Sequence, residues 1–495
     1  MEGINAQRMA AEMAITRTKW YAMLLIPLAL SAFTHLWNPT GFPDIFYDEG
    51  IYMRRTMHMI EGLGPQEGTF YDHPYFGQLF LTGALSLVGY PGPQEEGVDA
   101  QSISTLYAAP RILMGLLAIA DTFLVFKIAE RKYGRRVAFI AAILFAVMPL
   151  TWFTRRILLD SILLPFLLSS VLFALYSAGA IGRKKTGLVL LAGIFLGTAI
   201  FTKIPIFTMI PLVGYLIYSG ASANKLRTLG LWFTPVILIP LIWPAFAASQ
   251  GQLDFWMRDV IWQTQRQGQG FWSILLTFFL FDPALLLLGA AGFIYAAAKR
   301  EAFLLLWIVP FVAFLSVIGY VQYFHWMPVF PVFCIAAARL IDRGAMIRPR
   351  LPYAALAGLG AFGLGMTTLL ITIDVTSAQF EAAAFVANYA DDETTIAANP
   401  VYAWIFVYVL DKESSFTDYR DLLFVPVETE KLVLVSDNHF QGNIGVGPQL
   451  QEAYDSTERV AVFGGQLEGY DLYSYPYTNL LANYEGDVIE IRARN

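Results

Sequence analysis

Between residues 20 and 374 one pattern recurs: a long apolar run without charge, bounded by charged residues or by Pro and Gly. Each run approaches the roughly 20 residues a helix needs to cross a hydrocarbon core of about 30 Å. A segment in lipid must satisfy its own backbone, so continuous runs of this kind read as helices. A β-barrel would instead show segments of about ten residues alternating in polarity. Composition agrees, with 56% hydrophobic and 15% charged residues, against about a quarter charged in soluble proteins. The expected fold class is a polytopic α-helical membrane protein of about eleven transmembrane helices. They are placed near residues 20–37, 106–128, 137–153, 161–181, 187–201, 205–219, 229–248, 273–297, 302–319, 322–341 and 352–374.

Orientation follows from the basic residues of the short loops, which favour the cytoplasmic side. With the N-terminus inside, the inner loops are Arg131/Lys132/Arg135/Arg136, Arg183/Lys184/Lys185, Lys225/Arg227, Lys299/Arg300 and Arg343/Arg348/Arg350. Every inner loop is basic, and moving the count by one span destroys the pattern. Residues 76–90 are therefore read as a short amphipathic helix at the outer interface, within a long first outer loop, 38–105. The polar segment Met1–Lys19 carries Arg8, Arg17 and Lys19 ahead of the first run, which ends without a small-residue cleavage site, so that run is expected to be a retained helix. The expected location is the plasma membrane.

From residue 376 the runs shorten, as in LVLV (432–435) and VAVF (460–463), after a helical stretch at 377–390. That segment holds 19 acidic and 6 basic side chains, whereas the rest of the chain is net basic. The domain division read here is a transmembrane catalytic domain, 1–375, followed by a small extracytoplasmic α/β domain, 376–495. No clustered basic face supports nucleic-acid binding. The single cysteine, Cys334, excludes an intramolecular disulfide.

Ionisable residues at membrane depth are costly and mark sites or pathways. On the outer side these are Asp44, Asp48, Glu49 and Tyr52 in FPDIFYDEGIY; Arg155, Arg156 and Asp160 in TRRILLDS; His73 in YDHPYFGQ; and Lys203 in FTKIP. Tyr52 falls one turn after Asp48 and shares its side of a helix, and Arg156 and Asp160 have the spacing of a helical ion pair. The bland alternatives are helix capping by Asp48, an interfacial salt bridge, a structural histidine and a snorkelling lysine. Guanidinium groups also suit phosphate oxygens. Arg258, Asp259 and Arg266, in another outer loop, can complete a positive rim.

DEGIY after the first span, HPYFGQL about 25 residues later and RRILLDSILL after the third resemble, in order, three motifs of the protein O-mannosyltransferase family. GTAIFTKIP is similar to that family's span-connecting lysine segment. The resemblance covers roughly residues 20–210 and implies a GT-C type membrane glycosyltransferase. Aminoarabinose transferases of lipid A are similar in architecture. Tyr75 and Phe76 depart from the family's His-Pro-Pro-Leu motif, and no Trp-Trp-Asp motif of oligosaccharyltransferases is present.

What the resemblance implies is inverting transfer of one sugar from a polyprenyl (dolichyl-type) phosphate to a hydroxyl acceptor, on protein or on a lipid or glycan. Asp48 and Glu49 are then catalytic, with Asp48 the base. Arg155, Lys203 and His73 hold the donor phosphate, while Arg156, Asp160 and Tyr52 support them. A divalent metal, if one takes part, would sit on Asp48. The competing expectations are a transporter or lipid flippase, whose signs are internal repeats and broken helices, and a noncatalytic receptor.

Overall fold

The computed structural model describes residues 21–92, 98–221, 224–268, 270–412, 414–426, 429–465 and 488–494. The expected cytoplasmic segment with Arg8, Arg17 and Lys19 lies outside them. Helix α1 (Tyr21–Leu36) leads to two shorter loop helices, α2 (Tyr47–Ile60) and α3 (Phe76–Ser86), and then to the 34-residue α4 (Ala100–Tyr133). The Asp99 carboxylate starts α4 by accepting the Ser102 N–H at 2.7 Å. Gly134 stops it, with a φ of +91° that side chains disfavour. α5 (Arg135–Val147) runs back and bends by 67° into a 3-10 turn, Pro149–Arg155.

α6 (Leu159–Ser177) and α7 (Gly182–Thr202) form a hairpin. Pro205 cannot continue α7, so the helix closes at Thr202 and leaves Lys203 extended. Next come α8 (Ile210–Ser219), α9 (Lys225–Leu238), α10 (Ile242–Ser249) and α11 (Leu253–Gln265). α12 (Phe271–Phe281) meets α13 (Pro283–Ala298) at a bend of 118°, where the buried Asp282 caps α13 and also takes the Leu150 N–H. α14 (Ala302–Val317), α15 (Phe330–Arg343) and α16 (Leu351–Ile371) complete the bundle.

By length and composition six helices can cross a membrane, or eight if each bent pair is one span. Three more apolar helices are shorter. Together they fall on the apolar segments expected from sequence, and within 76–90 the helical part is the 11-residue α3.

Side chains tie the basic turns together at one end of the bundle. Arg136 pairs with Asp342, Arg339 with Glu301, and the Tyr133 hydroxyl donates to Glu301. α7 carries Arg183–Lys185 at its start and Lys203 just beyond its end, so these turns lie about 30 Å from Lys203.

The remainder is α17 (Ser377–Tyr389), β1 (Thr395–Ala397), α18 (Pro400–Tyr408), β2 (Leu432–Ser436), α19 (Asn438–Gln441), α20 (Pro448–Asp455), β3 (Glu458–Phe463) and β4 (Ile489–Arg494). The sheet order is β1-β2-β4-β3, parallel between β1 and β2 and antiparallel elsewhere. β2 is buried throughout, both its faces being covered. Val433 and Val435 join one core, while Leu432 and Leu434 join another with Tyr419, Phe440 and Leu450.

The first of these cores also contains Met53 and Met57 of α2, Leu81 of α3 and Leu106 of α4. The C-terminal elements and the loop helices thus share one hydrophobic interior. Gly50 marks the closest approach: a Cβ there would lie 2.2 Å from the Val401 nitrogen.

Candidate active site

The two neighbouring carboxylates of α2 have opposite fates. Glu49 is fully buried and accepts the Phe46 and Ile157 N–H groups, each at 3.0 Å. Arg111 of α4 donates to it at 2.8 and 3.2 Å, and Arg156 at 3.0 Å. Burial would raise its pKa, but the two guanidinium groups outweigh that and hold it below the usual carboxylate range.

Arg156 also binds the Asp44 carboxylate at 2.6 Å, and Arg111 donates to the Pro43 carbonyl at 2.6 Å. Arg155 donates to the carbonyls of Thr34, Trp37 and Asn38 at 2.6–2.9 Å, closing the end of α1. These arginines form a buried frame beneath α2, with their Nη donors committed to carbonyls and carboxylates.

Asp48, by contrast, is half-buried and has no hydrogen-bond or ion-pair partner among the described residues. Burial raises its pKa to about 6; Lys203 and Arg266 pull it down, while Asp72 and Asp160 push it up. The same groups act on one another. Tyr52, one turn on and buried, lies in the field of Asp48, Asp160 and Asp72. Arg55, a further turn along, pairs with Asp72 at 2.9 Å. That pairing holds Asp72 below its ordinary pKa against the effect of burial. Burial lowers His73 to about 4, so its imidazole is neutral at pH 7.

Lys203, at the break after α7, binds the Asp160 carboxylate at 2.5 Å and lies 4.8 Å from the centre of the Phe324 ring. A cavity of about 30 Å³, the size of a water or two, opens on this pair, with His325, Pro205 and Phe311 in its wall. On the other side Arg266 lies 3.7 Å from the centre of the Tyr320 ring and donates to Gln263. Among the described residues it pairs with no carboxylate. Its loop is held by the Gly268 N–H on the Gly319 carbonyl at 3.0 Å. Arg258 is instead taken up by Asp259, whose buried carboxylate accepts the Tyr71 N–H at 2.7 Å and fixes the loop that carries His73.

Asp48, Tyr52, His73, Asp160 and Lys203 lie within one another's electrostatic reach. The structure does not bring Glu49, Arg155 or Arg156 to the open site. Two expectations need correction. Asp160 holds Lys203, not an arginine, because the start of α6 faces the break after α7 while Arg156 turns back beneath α2. Arg155, expected to hold the donor phosphate, is buried and spends both Nη groups on the carbonyls of Thr34, Trp37 and Asn38.

Sequence reasoning missed Arg55, Asp72, Arg111, Tyr320 and His325. Arg111 carried a readable signal, a lone charge within the apolar run AAPRILMG. No group of three or more His, Cys, Asp or Glu residues able to hold a metal occurs among the described residues.

Residues 66–256 match the family model described as dolichyl-phosphate-mannose-protein mannosyltransferase. A comparison with curated protein sequences found no match. Among solved structures, ArnT from Cupriavidus metallidurans in the apo state aligns over 97% of this chain and 98% of its own, at 14% identity and a TM-score of 0.62. The same protein bound to undecaprenyl phosphate gives 13% identity, coverage of 96% and 97%, and a TM-score of 0.58. The archaeal oligosaccharyltransferase AglB from Archaeoglobus fulgidus, in complex with an inhibitory peptide and a dolichol-phosphate, gives 11% identity, coverage of 92% and 75%, and a TM-score of 0.57. At these identities the likeness is one of fold. The chain shares its fold with ArnT and AglB, and the match to the mannosyltransferase family model spans the segment that carries His73, Asp160 and Lys203.

Proposed function

We propose that this protein is a polyprenyl-phosphate-dependent glycosyltransferase that moves a single sugar, mannose being the first candidate, onto a hydroxyl acceptor at the outer face of the membrane, with inversion. The observation that carries this reading is Asp48: a half-buried carboxylate without a partner, in the field of two cations, Lys203 and Arg266. In the reaction the acceptor hydroxyl attacks the anomeric carbon and gives its proton to Asp48. The bond from that carbon to the phosphate oxygen breaks, and its electron pair leaves with the phosphate. Lys203 and Arg266 stabilise the charge that develops there, and neutral His73 donates a hydrogen bond. Asp160 orients Lys203, while Glu49 fixes α2 from beneath.

The isoprenoid tail stays among the helices, and the acceptor is a protein, lipid or glycan. Residues 1–375 carry the donor site and the base, and residues 376–495 form the extracytoplasmic part. The basic turns face the cytoplasm, and the protein resides in the plasma membrane. A divalent metal, if one is used, would bind at Asp48 and draw its other ligands from donor and water.

The test is incubation of the detergent-purified protein with a panel of radiolabelled polyprenyl-phosphate monosaccharides, beside Asp48→Asn. Donor consumption that is lost in the variant supports the reading and identifies the sugar. Consumption retained by the variant removes Asp48 as base.

A further inference from the structure

Three of the first four residues of α2 are held from different directions. Glu49 is gripped from beneath by Arg111 and Arg156, as described above. Gly50 abuts the backbone of Pro400 and Val401 in α18. The Tyr47 hydroxyl donates to Asp418 Oδ2 at 2.5 Å, and its ring stacks on His439 at 4.3 Å. Asp418 is in turn fixed by Arg420, whose Nη2 donates to the same oxygen at 2.7 Å and whose guanidinium lies 4.6 Å from the Tyr47 ring centre. Further along α2, Arg54 donates to the Thr417 carbonyl at 3.2 Å. Of these four, Asp48 has no side-chain hydrogen bond or ion pair among the described residues, so its place is set by its neighbours.

We infer that Asp418 is a positioning residue: through the Tyr47 hydroxyl, the C-terminal part of the chain sets the Asp48 carboxylate in its reacting position. The inference rests on the reading of Asp48 as the base. A contact that merely docked the C-terminal elements would contribute to stability and leave the turnover of folded protein unchanged. A contact that aims a base changes kcat, because small misplacements of a reacting group are expensive.

The experiment uses the full-length protein in detergent with dolichyl-phosphate mannose as donor. It compares Tyr47→Phe, Asp418→Asn, the double variant and Asp48→Asn, and reads kcat, donor KM and the unfolding temperature. Tyr47→Phe keeps the ring stacked on His439 and loses only the hydroxyl. Tyr47→Phe, which deletes the hydrogen bond, is expected to lower kcat about ten- to a hundredfold with donor KM unchanged, Asp418→Asn, whose amide oxygen can still accept it, to lower kcat less, and the double variant no further than Tyr47→Phe. Wild-type kcat in both singles, or a loss confined to KM or to unfolding temperature, overturns the inference. Turnover retained by Asp48→Asn defeats the base assignment itself. An inactive Asp48→Asn beside fully active Tyr47→Phe and Asp418→Asn defeats only the positioning.

Discussion

Asp48 and Glu49 are chemically alike and adjacent, yet their surroundings assign them different work. Asp48→Asn should keep the fold and lower kcat by roughly 10²- to 10⁴-fold, the usual worth of a positioned base. Glu49→Gln should instead destabilise the protein by about 3–5 kcal/mol, because it leaves Arg111 and Arg156 buried beside a neutral partner. Thermal unfolding and donor turnover, measured on both variants, separate the two effects.

The raised pKa of Asp48, about 6, carries a sign of its own. A base works ionised, so kcat/KM should climb with pH up to about 6 and level off above it. A carboxyl whose pKa is higher folded than unfolded costs stability as pH rises through that interval. Asp48→Asn should therefore unfold at a higher temperature than wild type at pH 8, and no higher at pH 4. The sequence displayed both carboxylates but could not divide them, because the division depends on Arg111, about sixty residues away in a different helix.

At the scale of elements, the site depends on where helices stop. α7 ends before Pro205, which delivers Lys203 to Asp160. Lys203→Ala should weaken donor binding by about ten- to a hundredfold through loss of a charged contact. It should also lower the unfolding temperature, since Asp160 remains buried and alone. Donor titration at fixed acceptor checks the first effect; unchanged donor affinity would remove Lys203 from the phosphate site.

α2 is equally constrained. Gly50→Ala brings a Cβ against the α18 backbone, which has little freedom to yield, and should cost about 1–3 kcal/mol or more, read from the unfolding temperature. Helices of this kind were legible because hydropathy and Pro or Gly breaks are local signals. β1 and β4 were not read as strands: β1 has three residues, and the alternation of β4 over Ile489, Ile491 and Ala493 takes its meaning from the partner strands on either side.

For the whole molecule, the basic turns gather at one end and the site lies at the other, so the two should face different compartments. Cys334 is the only cysteine in the sequence and is buried, which gives labelling experiments a silent background. A cysteine placed at the exposed Phe424 should react with a membrane-impermeant maleimide from outside intact cells, and one placed at the exposed Ile347 only after permeabilisation. The reverse pattern would overturn the orientation.

Hydropathy marks a change of character near residue 376, because lipid and water select residues differently. It could not reveal that the interior crosses that point, since shared packing leaves no mark in a window of neighbouring residues. Val433, Ile491 and Trp404 rest in the same interior as Met53, Leu81 and Leu106. Cutting the gene where the hydropathy falls would therefore not yield a minimal enzyme. The two products would be complementary fragments, each with an unsatisfied apolar face, and their co-expression should restore what neither supplies alone.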